Sequence, residues 1–320
     1  MSDTGFKTSN NTDLVKLYKA IGSTTPTSNT GFITSNDKDL ANIFAPYVAG
    51  TKAITTGYKI FDKISDGKDL SDIFQNINSN LTWTARESNR KWYSVASSSD
   101  GSKLVACVYG GQIYTSTDSG VNWIARDSNR NWISVASSSD GSKLVAGVYY
   151  SGQIYTSTNS GENWIARDSN RSWNSVASSS DGSKLVACVY GGQIYTSTDS
   201  GENWTARDSN RNWYCLASSS DGSKLVAGVY VGQIYTSTNS GENWIARDSN
   251  RDWYSVASSS DGSKLVACVS YGQIYTSTDS GVNWTATESN RLWYCVASSS
   301  DGSKLVACVY GGQIYIGAYS

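Results

Sequence analysis

The stretch from Trp92 to Asn131 reads WYSVASSSDGSKLVACVYGGQIYTSTDSGVNWIARDSNRN, and it recurs almost verbatim to the end of the 320-residue chain. With the Trp of its Arg-x-Trp phrase as a marker, the copies begin at Trp92, Trp132, Trp173, Trp213, Trp253 and Trp293. The intervals are 40, 41, 40, 40 and 40, the long one holding a single insertion around Tyr149, Tyr150 and Ser151. A period of this length marks an array whose units cannot bury their apolar faces alone.

Inside one unit, Val95, Leu104, Val105, Val108, Ile113 and Tyr114 fall in short β-branched and aromatic runs broken by turn residues. Asp100-Gly101 makes a hairpin turn, since Gly accepts the positive φ of the primed turns. Gly110-Gly111 makes a second turn and Thr117 to Asn122 a third, which predicts strands over roughly 92–99, 103–109, 112–117 and 122–127. Helical spacing is absent. Four-stranded units of about 40 residues fit the blades of a β-propeller. The last unit stops at Ile316-Gly317-Ala318-Tyr319-Ser320 without a fourth strand, while Leu81-Thr82-Trp83-Thr84-Ala85-Arg86 matches Val121 to Arg126. The expected fold is therefore all-β over residues 80–320: a six-bladed β-propeller of four-stranded blades. It is closed 3+1 by the N-terminal strand 81–87 pairing in the blade of 293–316, which leaves no free sheet edge. Twelve Trp, two per blade, give the same count of six.

The third turn, Ser116-Thr117-Asp118-Ser119-Gly120-Val121-Asn122-Trp123, resembles an Asp-box, Ser/Thr-x-Asp-x-Gly-x-x-Trp. It returns at Asp199 and Asp279, and with Asn at Asn159 and Asn239. Such BNR-like repeats are similar to those of sialidase-like and photosystem-assembly-factor-like propellers, and the resemblance implies that fold. The box is a self-supporting hairpin: Asp or Asn accepts backbone N–H bonds, Gly takes the strained turn and Trp packs beneath. Asp118, Asn159, Asp199, Asn239 and Asp279 are accordingly structural, since Asn substitutes freely. Sialidase chemistry would need an asymmetric arginine triad, an early Phe-Arg-Ile-Pro-like motif and a tyrosine nucleophile with an acidic partner. Here Arg86, Arg126, Arg167, Arg207 and Arg247 are one repeated position, and Pro26 and Pro46 both precede the array. The resemblance carries the fold and not the chemistry.

A net charge of −1 implies no general attraction to nucleic acid or anionic membrane. Residues 1–20 lack a positive flank followed by an apolar run, so no signal peptide is expected, and no apolar stretch approaches a membrane span. His is absent, which removes the commonest general base and a frequent metal ligand. No enzyme activity, cofactor or metal is expected. Cys107, Cys188, Cys268 and Cys308 share one repeat position, filled elsewhere by Gly147 and Gly228, which marks a tightly packed site that accepts only small side chains. Pairing about Asp301-Gly302 sets Cys295 opposite Cys308, the one plausible intrachain bridge; Cys215 faces Gly228. Mostly free thiols favour intracellular synthesis and assembly, in cytoplasm or virion.

Residues 1–79 carry a different repeat. Gly5-Phe6, Gly31-Phe32 and Gly57-Tyr58 are spaced 26 apart, each followed by a polar turn and an amphipathic run beginning at Asp13, Asp39 and Asp69. These predict three strand–turn–helix units, a small α+β region whose exposed Leu, Ile and Phe must stack on something. The segment is similar to short tandem motifs in surface or appendage proteins of large viruses and phages. Anchoring, homo-oligomerisation or larger assembly is the expected role, with an inert lid on the propeller as the alternative.

The turns alternate between the two ends of a blade, so the Asp-Gly and Asp-box turns share one face. The other takes the Ser-Asn-Arg linkers and the second turns. The Ser-Ser-Asp-Gly-Ser turn is identical in all six copies, whereas the other face varies around each marker Trp and at the second turn. Drift wherever packing is permissive would also have touched an equally exposed Asp-Gly turn. The variable face is therefore the candidate site for a glycan or protein ligand. Tyr109, Tyr149, Tyr150, Tyr190, Tyr230, Tyr271 and Tyr310 would be the contacts. Arg90, Arg130, Arg171, Arg211, Arg251 and Arg291 would form a supporting ring able to donate in forked geometry. The alternative is a structural protein, such as a virion or appendage component, that uses the propeller as a rigid spacer.

Overall fold

The computed structural model describes residues 84–318, and every regular element among them is a β-strand. The first unit supplies β1 (Trp92–Ser97), β2 (Leu104–Ser116) and β3 (Ile124–Ser137). β2 holds both the second and the third strand of the unit, turning through Gly110 at φ +72°. The second unit adds β4 (Leu144–Val148), β5 (Gly152–Ser157) and β6 (Ile165–Arg171). Register follows the turns: Ser97 pairs with Leu104 and Val95 with Ala106 across Asp100-Gly101.

The strands form an all-β propeller of four blades, which overturns the expected six. One blade is β1 to β6. A second, also six-stranded, comprises β7 (Trp173–Ser178), β8 (Leu185–Ser197), β9 (Thr205–Ser218), β10 (Leu225–Val229), β11 (Ile234–Ser237) and β12 (Ile245–Ala246). The third has β13 (Trp253–Ser258), β14 (Leu265–Val269), β15 (Ile274–Ser277) and β16 (Thr285–Ala286). The fourth has only β17 (Trp293–Ser298), β18 (Lys304–Val309) and β19 (Ile314–Ala318). The cause is continuity through the linkers. β3 and β9 run unbroken from the outer strand of one unit into the inner strand of the next, so each six-stranded blade contains two sequence units. Their ladders continue through Gly111↔Arg130 and Gly192↔Arg211, where the second turn is Gly-Gly. Where that turn carries Val231 or Tyr271, only the isolated bridges Gly232↔Arg251 and Gly272↔Arg291 remain.

The 3+1 closure is corrected too: residues 84–91 form no strand, and among the described residues the last blade has three. Residues 81–83, and the α+β repeats expected over 1–79, lie outside the described residues. No helix occurs among the described ones.

The core lies between consecutive units. Trp132 and Val135 of the second unit are buried with Val105, Cys107 and Ile113 of the first, and the pattern repeats at Trp173, Trp213, Trp253 and Trp293. Each of these five Trp is fully buried. The first and last units each lack one such neighbour: Val95 is 72% exposed where Val135 is 6%, and Ile314 and Ile316 are exposed as well. Cys295 and Cys308 pair across β17 and β18 and are joined by a disulfide; Cys107, Cys188, Cys215 and Cys268 are free and buried.

The turn at Asp118 is a hydrogen-bonded cage. Ser116 Oγ donates to Asp118 Oδ1 at 2.8 Å and accepts the Gly120 N–H at 2.9 Å. The Asn122 N–H donates to Asp118 Oδ1 at 2.9 Å, and its amide donates to Oδ2 at 2.7 Å. Asn159 repeats the first arrangement, accepting from Ser157 Oγ at 2.9 Å and the Asn163 N–H at 3.0 Å. The donors hold the carboxyls of Asp118, Asp199 and Asp279 down from 3.8 to about 2. A depressed folded-state pKa stabilises above the unfolded value and ceases to do so as pH falls through the folded one. The combined Asp118→Asn, Asp199→Asn and Asp279→Asn variant should therefore show a flatter fall of Tm between about pH 4 and pH 2. Calorimetry over that range checks this; an unchanged acid limb would remove the boxes as its source.

Candidate functional site

The first strands of the units stand side by side. Ser94 Oγ accepts the Val135 N–H at 3.3 Å, and Ser134 Oγ accepts the Val176 N–H at 3.1 Å. One end of these strands is a serine mouth, a cavity of about 250 Å³ to which all six units contribute, from Ser97 and Ser99 to Ser298 and Ser300. Backbone bonds link its rim in series, Ser99 N–H to Ser139 O, then through Ser180, Ser220 and Ser260 to Ser300, each at 2.7 Å. The Asp-Gly turns beside it are clamped. Ser98 Oγ donates to Asp100 Oδ1 at 2.6 Å, and the Ser102 N–H donates to the same oxygen at 3.0 Å. A Cβ on Gly141 would stand 2.8 Å from Lys103 Cβ of the preceding unit. Gly182, Gly222, Gly262 and Gly302 meet the equivalent Lys in the same way. From the second unit on, the turn's Gly is thus fixed because the preceding unit's Lys packs on it. That Gly is buried while the Asp beside it is exposed, and the comparison of the two faces by drift does not hold at the Gly.

At the opposite end every arginine of the Ser-Asn-Arg linkers is braced. Arg130 lies 3.5 Å from Asp127, and its guanidinium is 4.7 Å from the Tyr155 ring centre and 5.8 Å from that of Trp132. Arg171 with Asp168 and Tyr195, Arg211 with Asp208 and Tyr235, and Arg251 with Asp248 and Tyr275 repeat the brace. Arg90 pairs with Glu87 and covers Tyr114; Arg291 covers Tyr315. Cation–π contact fixes each guanidinium, and in the first five units a carboxylate does so as well. The arginines stiffen the rim and offer little free charge.

The second-turn tyrosines lie on this rim. Tyr149 and Tyr150 have ring centres 4.1 Å apart, and burial beside Tyr150, Tyr190 and Tyr109 raises the Tyr149 phenol's pKa. Tyr109, Tyr230 and Tyr310 each meet a second tyrosine, at Tyr93, Tyr214 and Tyr294, at 5.4, 5.8 and 5.7 Å. These inner partners are contacts that sequence reasoning did not select; the available signal was Tyr directly after four of the six marker Trp. Tyr150, Tyr271 and Tyr310 are exposed, by 65, 76 and 67%.

Backbone conformation separates these turns. Gly110, Gly191 and Gly311 take φ of +72°, +73° and +65° with open space around them. In the other three units Tyr150, Val231 and Tyr271 adopt φ of 55°, 56° and 57°, followed in the second unit by Ser151 at 58°. Left-handed backbone costs a residue with a Cβ about 1–2 kcal/mol. Tyr150, Val231 and Tyr271 are mostly exposed and recover little of this by burial.

Among the described residues no three His, Cys, Asp or Glu side chains come together as metal ligands, and no helix is long and apolar enough to cross a membrane. Every described carboxyl with a displaced pKa is displaced downward, as at Asp100, where Ser98 and Ser102 donors bring it to about 2. A general acid needs the opposite displacement. Burial pushes the thiols of Cys107, Cys188 and Cys268 up to about 12 and raises Cys215 as well, which keeps them protonated.

No protein-family model and no curated protein matches the chain. Solved structures do. An ancestral GH74 enzyme superposes with a TM-score of 0.60 at 19% identity over 74% of this chain. The GH74 enzyme of Niastella koreensis gives 0.54 at 18% over 71%. YCF48 from Cyanidioschyzon merolae gives 0.56 at 19% over 73% of this chain and 84% of its own. The chain spans 38% and 36% of the two GH74 structures. Likeness at this identity shows the propeller fold alone.

The strained turns predict a stability gain. Tyr271→Gly should raise stability by about 1 kcal/mol by relieving the left-handed residue, whereas Tyr271→Ala, which keeps a Cβ there, should not. Denaturant unfolding of the two variants checks this; equal midpoints would mean that the turn holds no strain.

Proposed function

We propose that the chain is a non-catalytic binding propeller that recognises a glycan or a protein on the face bearing the Ser-Asn-Arg linkers. Tyr109, Tyr149, Tyr150, Tyr190, Tyr230, Tyr271 and Tyr310 supply the contacts, the arginines brace them, and residues 1–79 attach or oligomerise the protein. One observation carries this: Tyr150 and Tyr271 sit exposed in left-handed backbone where three sister units have glycine. Strain of this kind persists at binding sites, where an exposed aromatic has a use that repays it. Tyr also offers a large amphipathic contact at low entropic cost. The depressed carboxyl pKa values and protonated thiols support a binding rather than a hydrolytic role.

A second reading, an assembly protein with the propeller as a spacer, is favoured by the exposed apolar residues of the first and last units, Val95, Val306, Ile314 and Ile316. Patches of that kind mark interaction surfaces.

Against a partner captured by glycan array or pull-down, Tyr150→Ala with Tyr271→Ala should weaken binding about tenfold without lowering Tm. Asp100→Ala and Asp140→Ala should leave the affinity of the folded fraction intact. The reverse pattern would move the site to the Asp-box face. Under the spacer reading, light scattering would instead show assemblies of the full chain that Val95→Ser with Ile314→Ser dissolves.

A further inference from the structure

All six first strands share an irregularity directly after the marker Trp. In β1 the register passes from Trp92↔Val108 to Ser94↔Cys107, leaving Tyr93 without a partner. The same shift follows Trp132, Trp173, Trp213, Trp253 and Trp293. A β-bulge takes one residue off the ladder and re-aims its side chain. The six bulge residues are Tyr93, Ile133, Asn174, Tyr214, Tyr254 and Tyr294. Four of the six are Tyr, and they occupy the end of the first strands opposite the serine mouth.

These side chains meet across units. Ring centres of Tyr214 and Tyr254 are 4.8 Å apart and those of Tyr254 and Tyr294 are 5.1 Å apart, tilted by 41° and 43°. One row of bulge tyrosines in ring contact thus joins three consecutive units, and Tyr93 of the first unit stacks instead on its own Tyr109. Asn174 continues the row, its amide donating to the Tyr214 carbonyl oxygen. Outside the row stand Tyr109, Tyr230 and Tyr310.

We propose that the six bulge residues form a cup that takes the uncharged terminal sugar of a glycan. This rests on the assignment of the binding face made above and adds the ligand class and a set of contacts. The chemistry selects it. The cup offers aromatic faces, phenol hydroxyls that donate and accept, and an amide that does both. A pyranose presents C–H faces and a rim of hydroxyls to match. An anionic ligand would need free cations, yet the linker arginines of the first five units are held by carboxylates. The two charged side chains next to the bulges, Lys91 and Asp252, have opposite signs and lie on different units. A peptide adding as a strand would need an open edge parallel to it, whereas the cup is built of strand ends around a ring. The remaining peptide class is a proline-rich segment, which docks on aromatic grooves.

The test uses the full chain on an array of immobilised neutral hexose oligosaccharides, sialylated and uronic-acid oligosaccharides, and a proline-rich peptide. Captured probes are then titrated calorimetrically. A neutral oligosaccharide should be retained, and Tyr254→Ala, read on its folded fraction because Tyr254 also packs on the core, and the more exposed Tyr93→Ala, with Tm as in the parent, should each weaken it about tenfold. Ser220→Ala, at the serine mouth, should bind like the parent. Capture of acidic glycans only, capture of no glycan, or neutral capture indifferent to both tyrosines would each overturn the proposal. Capture of the proline-rich peptide, lost in the tyrosine variants, would overturn the sugar class and leave the face standing. A probe indifferent to Tyr93, Tyr254, Tyr150 and Tyr271 alike would overturn both.

Discussion

Everything in the array depends on one plug: a marker Trp set into the unit before it. Trp132 is fully buried, edge-on to Tyr155 at 5.0 Å within its own unit, and packed with Val105, Cys107 and Ile113 of the previous one. An indole of this size removes more apolar surface from water than any other side chain in the unit. Its seat also explains the alternation of Cys and Gly on the second strands. A Cβ on Gly147 would lie 3.1 Å from the Trp173 Cβ, and one on Gly228 would lie 2.7 Å from the Trp253 Cβ. The next Trp presses on this position, so only small side chains fit. Cys107, Cys188 and Cys268 there are buried spacers whose thiols burial keeps protonated, while Cys308 is joined to Cys295.

How much of this was legible depends on how local the cause is. The Asp-Gly and Asp-box turns and the pairing of Cys295 with Cys308 follow from turn chemistry and a period of two and appear where the sequence places them, whereas strands expected apart are merged in β2, β3 and β9. Blade number does not follow in this way, because it turns on whether a ladder survives the linker between units. The strand runs on past Gly111↔Arg130 but stops at Arg171, although Gly152↔Arg171 is paired, by backbone geometry that the repeat pattern does not display. The bulge after each Trp is equally silent, since Trp-Tyr-Ser-Val reads as ordinary alternation. The invariance of the Asp-Gly turn was legible as a fact and misleading as a clue. At its Gly the cause is a lysine from the unit before, a contact about forty residues away in sequence.

The same packing divides the molecule into two unlike ends. At the serine mouth every turn touches its neighbour, so a change in one unit must be accommodated by the next, and the sequence stays fixed. At the tyrosine end the second-turn residues Gly110, Gly191 and Gly311 have open space around them. Variation there is permitted by the architecture and says nothing by itself about ligands. What speaks is variation against cost. Drift under no constraint favours the cheapest residue, which at φ near +60° is glycine. Tyr150, Val231 and Tyr271 depart from it. Val231, β-branched and exposed, is the most expensive of the three in backbone terms and has no aromatic face to recommend it. The two tyrosines have one. They sit beside a rim braced by arginine, carboxylate and ring contacts at Arg130, Arg171, Arg211 and Arg251. A rigid rim loses little freedom when a ligand lands on it, and that is the condition under which a few exposed aromatic side chains hold a partner well.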